Sequence, residues 1–344
     1  MTHDTFDRFQ GIWLGSIIGQ ALVDDRSSNT RVELSMDVAS PNWLLLRKQV
    51  AQMLLEAEWS FEDLARKIVL LEEKIINALD NPTVITSEDR QLDKLSIYGN
   101  YMLSLLPLII FYGDDLNSFQ KIIGKCYLKS VGSIEADEIK QEILIWSYLI
   151  TSFLNNRFKP DRINFKLMRE KVVSHAKSSD VSSIEKLVIA LEAVREGTSL
   201  HQLIEKLSKS DNSWHMAIAI SFYCFATTPD DFRLSVKRAA KVDLPIARWI
   251  TTLTSTLSGA YNSMTGVPYK WRTIAEENLA YREESQLASK LLKVWLGIYS
   301  VNNHHESYNR ELCAVATPQI IQPRQTLKII SQKELCNRKD LTQN

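Results

Sequence analysis

Residues that interrupt regular structure are scarce in this sequence, which has only 11 glycines and 9 prolines among 344 residues. Cysteine is scarcer still: there are four, and no two of them form a Cys-x-x-Cys pair. Widely separated cysteines are not the pattern of a disulfide framework or a structural zinc site. We therefore expect reduced thiols in a cytoplasmic protein.

The sequence also lacks net charge and any long apolar run. Its 41 Lys and Arg residues are matched by 41 Asp and Glu residues, so nucleic acid and anionic membranes are not expected partners. The same balance leaves little repulsion between copies, which favours a homo-oligomer. The apolar run at 102–112 is too short to span a bilayer, and the polar stretch 1–8 does not resemble a signal peptide.

What the sequence does contain is apolar residues at three- and four-residue spacing, without the alternation of a half-buried strand. This pattern predicts an all-α fold, with a single compact multi-helix domain over 1–303 and an irregular C-terminal tail over 304–344, partly disordered or docked. A helix is expected to begin after Pro229-Asp230-Asp231, and another to be interrupted near Pro107. The further predicted helices include 136–155, 161–177, 183–196, 199–207, 212–226, 248–264 and 285–299.

Three segments carry motifs. Gly11, Gly15 and Gly19 follow Arg8 at four-residue spacing, which places the glycines on one helical face suited to a close helix–helix contact. Residues 258–261 read Ser-Gly-Ala-Tyr, and residues 266–272 read Gly-Val-Pro-Tyr-Lys-Trp-Arg. A third stretch begins with Gly-Asn-Tyr-Met at 99–102.

Together these segments resemble the ADP-ribosylglycohydrolase family in order and spacing. The resemblance implies a mechanism with two Mg²⁺ ions, bound by a Thr-Asp-Asp-Thr element near the N-terminus and by an Asp-x-Asp-Thr turn. Here the first element aligns with 44–47, which read Leu-Leu-Leu-Arg after Trp43, and the turn aligns with 245–249. A further family carboxylate aligns with Gln20.

Oxygen ligands are what Mg²⁺ requires, so we predict that no metal or other cofactor binds and that the metal site is vestigial. The cleft residues predicted on this basis are Gln20, Trp43, Leu44, Leu45, Leu46, Ile246, Arg248 and Trp249. We expect the leucines to convert the site into apolar core, with Leu45, Arg248 and Trp249 plugging the cleft and Arg248 in the place of the metal charge.

Three functions follow from the resemblance. The first is a catalytically inactive regulatory or protein-interaction scaffold with an unidentified protein partner. The second is a metal-independent module that binds ADP-ribose, another nucleotide or an anion through Arg248, Lys270 and Arg272. The third, an active hydrolase, requires a shifted alignment that brings Asp24, Asp37 and Asp243 together.

One helix carries a basic strip formed by Arg233, Lys237, Arg238 and Lys241. We interpret it as a solvated face, and the alternative is a contact with an anion or an acidic protein.

Overall fold

The computed structural model describes residues 5–24, 42–55, 99–100, 102–113, 115–125, 133–156, 166, 182–208 and 213–295. The helices are α1 Thr5–Asp24, α2 Asn42–Leu55, α3 Leu106–Phe111, α4 Leu116–Lys125, α5 Ser133–Asn156, α6 Ser182–Glu196, α7 Leu200–Ser208, α8 Ser213–Ala226, α9 Phe232–Ala240, α10 Ala247–Gly266, α11 Tyr269–Glu277 and α12 Leu279–Trp295. These ranges contain no strand. The predicted all-α fold class is confirmed.

Two compact units divide the chain, residues 1–292 and residues 293–344. All contacts described below lie within the first unit, and only residues 293–295 of the second are described. The predicted boundary at 303/304 and the tail therefore lie outside the described residues, as does almost all of the predicted helix 161–177. None of the described helices combines the length and apolar character that a membrane crossing requires.

Helix α1 is the central element of the first unit. Its side chains from Arg8 to Leu22 are buried on every face, which is the expected environment for a helix without a distinct polar side. One face packs along α10, and the neighbouring faces contact α5, α9 and α11. Every motif carried by α1 is thus inside the protein.

The glycine face of α1 packs directly on the backbone of α10, as its spacing predicts. A Cβ atom at Gly11 would lie 2.6 Å from the carbonyl carbon of Ser263, and one at Gly19 would lie 2.6 Å from the Cα of Thr252. A Cβ at Gly15 would overlap the carbonyl oxygen of Ser255. The order of these contacts shows that the two helices run antiparallel.

A second layer of helices surrounds α10. Helix α8 packs against α6, α7, α9 and α10, while α5 contacts α3, α4 and α10. The rings of Phe153, Phe225 and Tyr261 join three of these helices, with centroids 4.9 to 6.0 Å apart. Tyr261, from the Ser-Gly-Ala-Tyr motif, is therefore part of an aromatic cluster in the core.

The observed helix ends match the predicted ones at positions where the sequence has a capping residue or a proline. Asp231 caps α9, and its side-chain Oδ1 accepts a 2.8 Å hydrogen bond from the backbone N–H of Leu234. Helix α3 starts with Pro107 in its first turn. The predictions missed α4 and α11, and α12 begins at Leu279 instead of residue 285.

Candidate functional site

The most distinctive polar feature of the first unit is an ion pair between α2 and α12. Arg47 and Glu284 are 0% and 2% exposed. The Nε atom of Arg47 donates a 3.0 Å hydrogen bond to Oε2 of Glu284, and Nη2 lies 2.9 Å from the same oxygen. A buried charge pair of this kind requires good geometry, because desolvation of both ions opposes it.

Groups from α1 and α2 complete the surroundings of this pair. The indole Nε1 of Trp13 donates a 2.6 Å hydrogen bond to Oε2 of Glu284. Arg47 Nη1 donates a 2.5 Å bond to the hydroxyl of Ser16, which in turn donates to the carbonyl of Trp13. The guanidinium lies 5.1 Å from the ring centre of Trp13 and 4.9 Å from that of Trp43, so two aromatic rings pack on the cation.

Burial governs the electrostatics of this cluster. It lowers the pKa of Arg47, and the nearby carboxylate of Glu284 opposes that shift. It also raises the pKa of Tyr281, one turn before Glu284, to about 12. The neutral phenol of Tyr281 thus lies near the Arg47–Glu284 ion pair.

Three further contacts hold α12 in place. Gln10 on α1 donates a 2.8 Å hydrogen bond to the hydroxyl of Ser289 and accepts a 3.2 Å bond from that of Ser285. On the outer side, Lys48 and Glu283 form an exposed ion pair at 2.6 Å. Consecutive residues of α2 therefore pair with consecutive residues of α12, one pair buried and one exposed.

The predicted cleft residues at the start of α2 divide into two groups. Trp43, Leu44 and Leu46 are buried, whereas Leu45 is 60% exposed. The expectation that Leu45 plugs a cleft is wrong, because its side chain faces outward. The expectation of an apolar core holds for Leu44 and Leu46, which are buried, while Arg47, which ends the same segment, brings a charge into the interior.

The predicted residues around α10 divide in the same way. Gln20, Ile246 and Trp249 are buried, and Arg248 is exposed. Trp249 packs on Gly99, where a Cβ atom would overlap its indole ring. Arg248 therefore does not supply a buried cation in the place of the metal, whereas Arg47 is fully buried.

The three residues proposed to bind an anion do not come together. Arg248 lies in the first turn of α10, while Lys270 and Arg272 lie on α11, beyond the end of α10. The 15 helical residues between Arg248 and the kink at Ser263 span about 22 Å at 1.5 Å per residue. Arg272 has a local aromatic partner, since its guanidinium lies 5.8 Å from the ring of Tyr269.

The side chains present do not fit the Mg²⁺ site that the resemblance implies. Residues 44–47 and 245–249 carry no side-chain oxygen at all, and Mg²⁺ is bound through oxygen. Among the described residues, no three His, Cys, Asp or Glu side chains group together. Of the carboxylates that an active hydrolase would need, Asp243 is exposed, whereas Asp37 and the side chain of Asp24 lie outside the described residues.

The basic strip on α9 contains one residue with a structural role. Arg238 donates hydrogen bonds to the carbonyl of Cys224 at 3.3 Å and to the hydroxyls of Thr227 and Thr228, so it binds the end of α8. Cations near a helix C-terminus are stabilising. Arg233 and Lys241 are exposed, as a solvated face requires.

Sequence reasoning missed a second buried polar cluster, between α5 and α6. Ser183 donates a hydrogen bond to Glu142, and burial lowers the pKa of Lys186 while Glu142 opposes the shift. Its residues lie on helices some 40 positions apart in the chain, so no local motif marks them. An open groove of about 380 Å³ along α7, lined by His201, Ile204, Glu205 and Ser208, was also missed.

No family model matches this chain, and no curated protein matches it in sequence. The relation to ADP-ribosylglycohydrolases is therefore carried only by the three segments quoted above. It stays a prediction.

Proposed function

We propose that this chain is a catalytically inactive ADP-ribosylglycohydrolase-like protein that acts as a regulatory or protein-interaction scaffold. The observation that carries the proposal is the buried Arg47–Glu284 pair, at the end of the segment where the resemblance expects metal ligands. A guanidinium keeps its positive charge at physiological pH and has no acceptor atom. It opposes a divalent cation there instead of binding one.

Contacts among the three motif segments support the resemblance itself. Gly15, from the first segment, packs on Ser255, one turn before Gly259 of the second. Gly99, which begins the third, packs on the indole of Trp249 at the start of the same helix. These contacts bring the first and third segments against helix α10, which carries part of the second.

Two buried polar clusters support the role of a scaffold that binds other proteins. The ion pair between α2 and α12, and the polar cluster between α5 and α6, fix the arrangement of helices far apart in the chain. Buried polar groups that are well paired favour one packing over others. A body of this kind, without a catalytic centre, acts through the proteins it binds.

A nucleotide-binding module is the second candidate, and the surface of α11 favours it. Tyr269 is 75% exposed, the guanidinium of Arg272 lies 5.8 Å from its ring, and Lys270 is the next residue in the sequence and is exposed. An exposed aromatic ring beside cations suits a purine and a phosphate. This site excludes Arg248, which lies at the other end of α10.

A calorimetric titration with ADP-ribose, run once with Mg²⁺ and once with EDTA, separates these functions. The scaffold proposal expects no binding heat in either run, while an active metal-dependent ADP-ribosylhydrolase treated identically gives heat with Mg²⁺. Metal-dependent binding by this chain would overturn the proposal and restore the hydrolase. Metal-independent binding that is lost in Tyr269→Ala would favour the nucleotide module.

The scaffold role itself is tested by cross-linking in cells followed by direct binding of the purified partner. We expect at least one protein whose binding to the purified chain reproduces the cross-link. If no cross-linked protein binds directly, the scaffold role is wrong whatever the titration shows.

A further inference from the structure

Three buried polar atoms around Arg47 have no hydrogen-bond partner among the residues that the structure describes: Trp43 Nε1, Arg47 Nη2 and Glu284 Oε1. Nη2 approaches Glu284 Oε2 to 2.9 Å without meeting hydrogen-bond geometry. The residues are 1%, 0% and 2% exposed, so bulk water does not reach them. Buried polar groups in folded proteins are nearly always satisfied, by protein or by ordered water.

These atoms belong to groups that touch one another. The ring centre of Trp43 lies 4.9 Å from Cζ of Arg47, and the carboxylate of Glu284 is paired with the same guanidinium. The Oε2 atom of Glu284 already accepts bonds from Trp13 and from Arg47 Nε. Oε1 is therefore the carboxylate oxygen that remains for a further hydrogen bond.

The chemistry of the three atoms defines what can bind them. Two are N–H donors and one is a carboxylate oxygen, so the ligand must accept two hydrogen bonds and donate at least one. The charges of Arg47 and Glu284 cancel, which gives no preference to a cation or an anion. Water meets these requirements, because a buried water makes two to four hydrogen bonds in a polar site.

We propose that one ordered water molecule binds between α2 and α12, accepts hydrogen bonds from Trp43 Nε1 and Arg47 Nη2, and donates one to Glu284 Oε1. The water extends the ion pair to Trp43, so that both aromatic residues beside Arg47 are joined to the carboxylate, Trp13 directly and Trp43 through water. This inference rests on geometry alone and does not depend on the family resemblance.

A crystal structure of the full chain, at a resolution that shows ordered water, tests the proposal directly. We expect a density peak within about 3.2 Å of both Trp43 Nε1 and Glu284 Oε1. In Trp43→Phe, which keeps an aromatic ring beside Arg47 but removes the N–H, the peak should be lost. Absence of the peak in the unaltered chain, or a peak that reaches only one of the three atoms, overturns the proposal.

Water-to-indole cross-relaxation in NMR provides the solution test, with Trp13 as the matched control. Trp13 is also fully buried and lies beside Arg47, but its Nε1 donates directly to Glu284 Oε2. We expect a stronger cross-peak with water at the Trp43 indole than at the Trp13 indole. A silent Trp43, or equal signals at both indoles, contradicts a water bound to Trp43 Nε1.

Discussion

The guanidinium of Arg47 is removed from bulk water, and the carboxylate of Glu284 provides the opposite charge. Replacement of Arg47 by Met should therefore leave the charge of Glu284 buried without its partner. Loss of one member of a buried pair destabilises a protein by about 3 to 5 kcal/mol. We expect a decrease of that size in the free energy of unfolding of Arg47→Met, measured by urea denaturation.

The neighbouring pair supplies the control for this prediction. Lys48 and Glu283 are also joined, but both are substantially exposed, and exposed pairs contribute about 0 to 1 kcal/mol. Lys48→Met should change stability by no more than that. The double variant Arg47→Met with Glu284→Leu should recover much of the loss, because apolar replacement of both partners is often neutral. Equal losses in Arg47→Met and Lys48→Met would contradict a dominant role for burial.

At the residue scale, the sequence identifies the segment that holds the cluster but not its chemistry. The resemblance points to residues 44–47, yet the predicted cation was Arg248, which lies exposed in the first turn of α10. Glu284 stands 237 positions after Arg47. No local pattern links two residues so far apart, since their contact depends on how α2 and α12 pack.

Among the elements, the contact between α1 and α10 leaves the least space for a side chain. A Cβ atom at Gly15 would meet the backbone oxygen of Ser255, which cannot move unless the helices separate. Overpacking of this kind destabilises by about 1 to 3 kcal/mol, which exceeds the helix preference of about 1 kcal/mol for alanine over glycine. We expect Gly15→Ala to lower the midpoint of thermal unfolding.

Gly113→Ala is the comparison for the glycine prediction. The nearest atom to a Cβ at Gly113 is the methyl of Thr151 at 3.1 Å, and a side chain gives way more easily than a backbone. Its loss of stability should be smaller than that of Gly15→Ala. If Gly15→Ala is as stable as the unaltered chain, α1 and α10 do not pack as closely as described.

At the element scale, regular residue spacing and helix-capping residues predict helix contacts and helix starts correctly. The four-residue repeat of Gly11, Gly15 and Gly19 predicted a close helix contact, and Asp231 predicted the start of α9. Helix α11 was missed because only Trp271 and Ala275 are buried in its nine residues. So few apolar positions give no clear periodicity, and tertiary contacts decide the structure instead.

For the whole molecule, the fold class followed from periodicity, but the assembly of the candidate site did not. The first motif, at 11–19, and Gly99 of the third pack against α10, which carries the Ser-Gly-Ala-Tyr motif at 258–261. Helix spacing alone does not specify which faces pair. The anion-binding hypothesis failed because Arg248 lies at one end of the 20-residue helix α10, whereas Lys270 and Arg272 follow its other end.

The stability of the whole fold should fall at alkaline pH because two weak acids are buried in their neutral forms. Burial raises the pKa of Tyr281 from 10.0 to about 12 and that of Cys224 from 9.0 to about 12. A weak acid whose pKa is higher in the folded state than in the unfolded chain stabilises the fold. That stabilisation is fully present below the unfolded-state pKa and is lost as the pH rises through the folded-state pKa. The window of loss is therefore pH 9 to 12.

These increases in pKa correspond to a loss of folding stability at high pH of at most about 3 kcal/mol for Tyr281 and about 4 kcal/mol for Cys224. Urea unfolding at pH 8, 10 and 11.5 should show a progressive decrease, and Tyr281→Phe should reduce its slope above pH 10 because the ionisable hydroxyl is gone. Tyrosinate absorbance followed over the same range reports the ionisation itself. An unchanged slope in Tyr281→Phe would show that this phenol is accessible to solvent, and would place Tyr281 outside the buried cluster around Arg47.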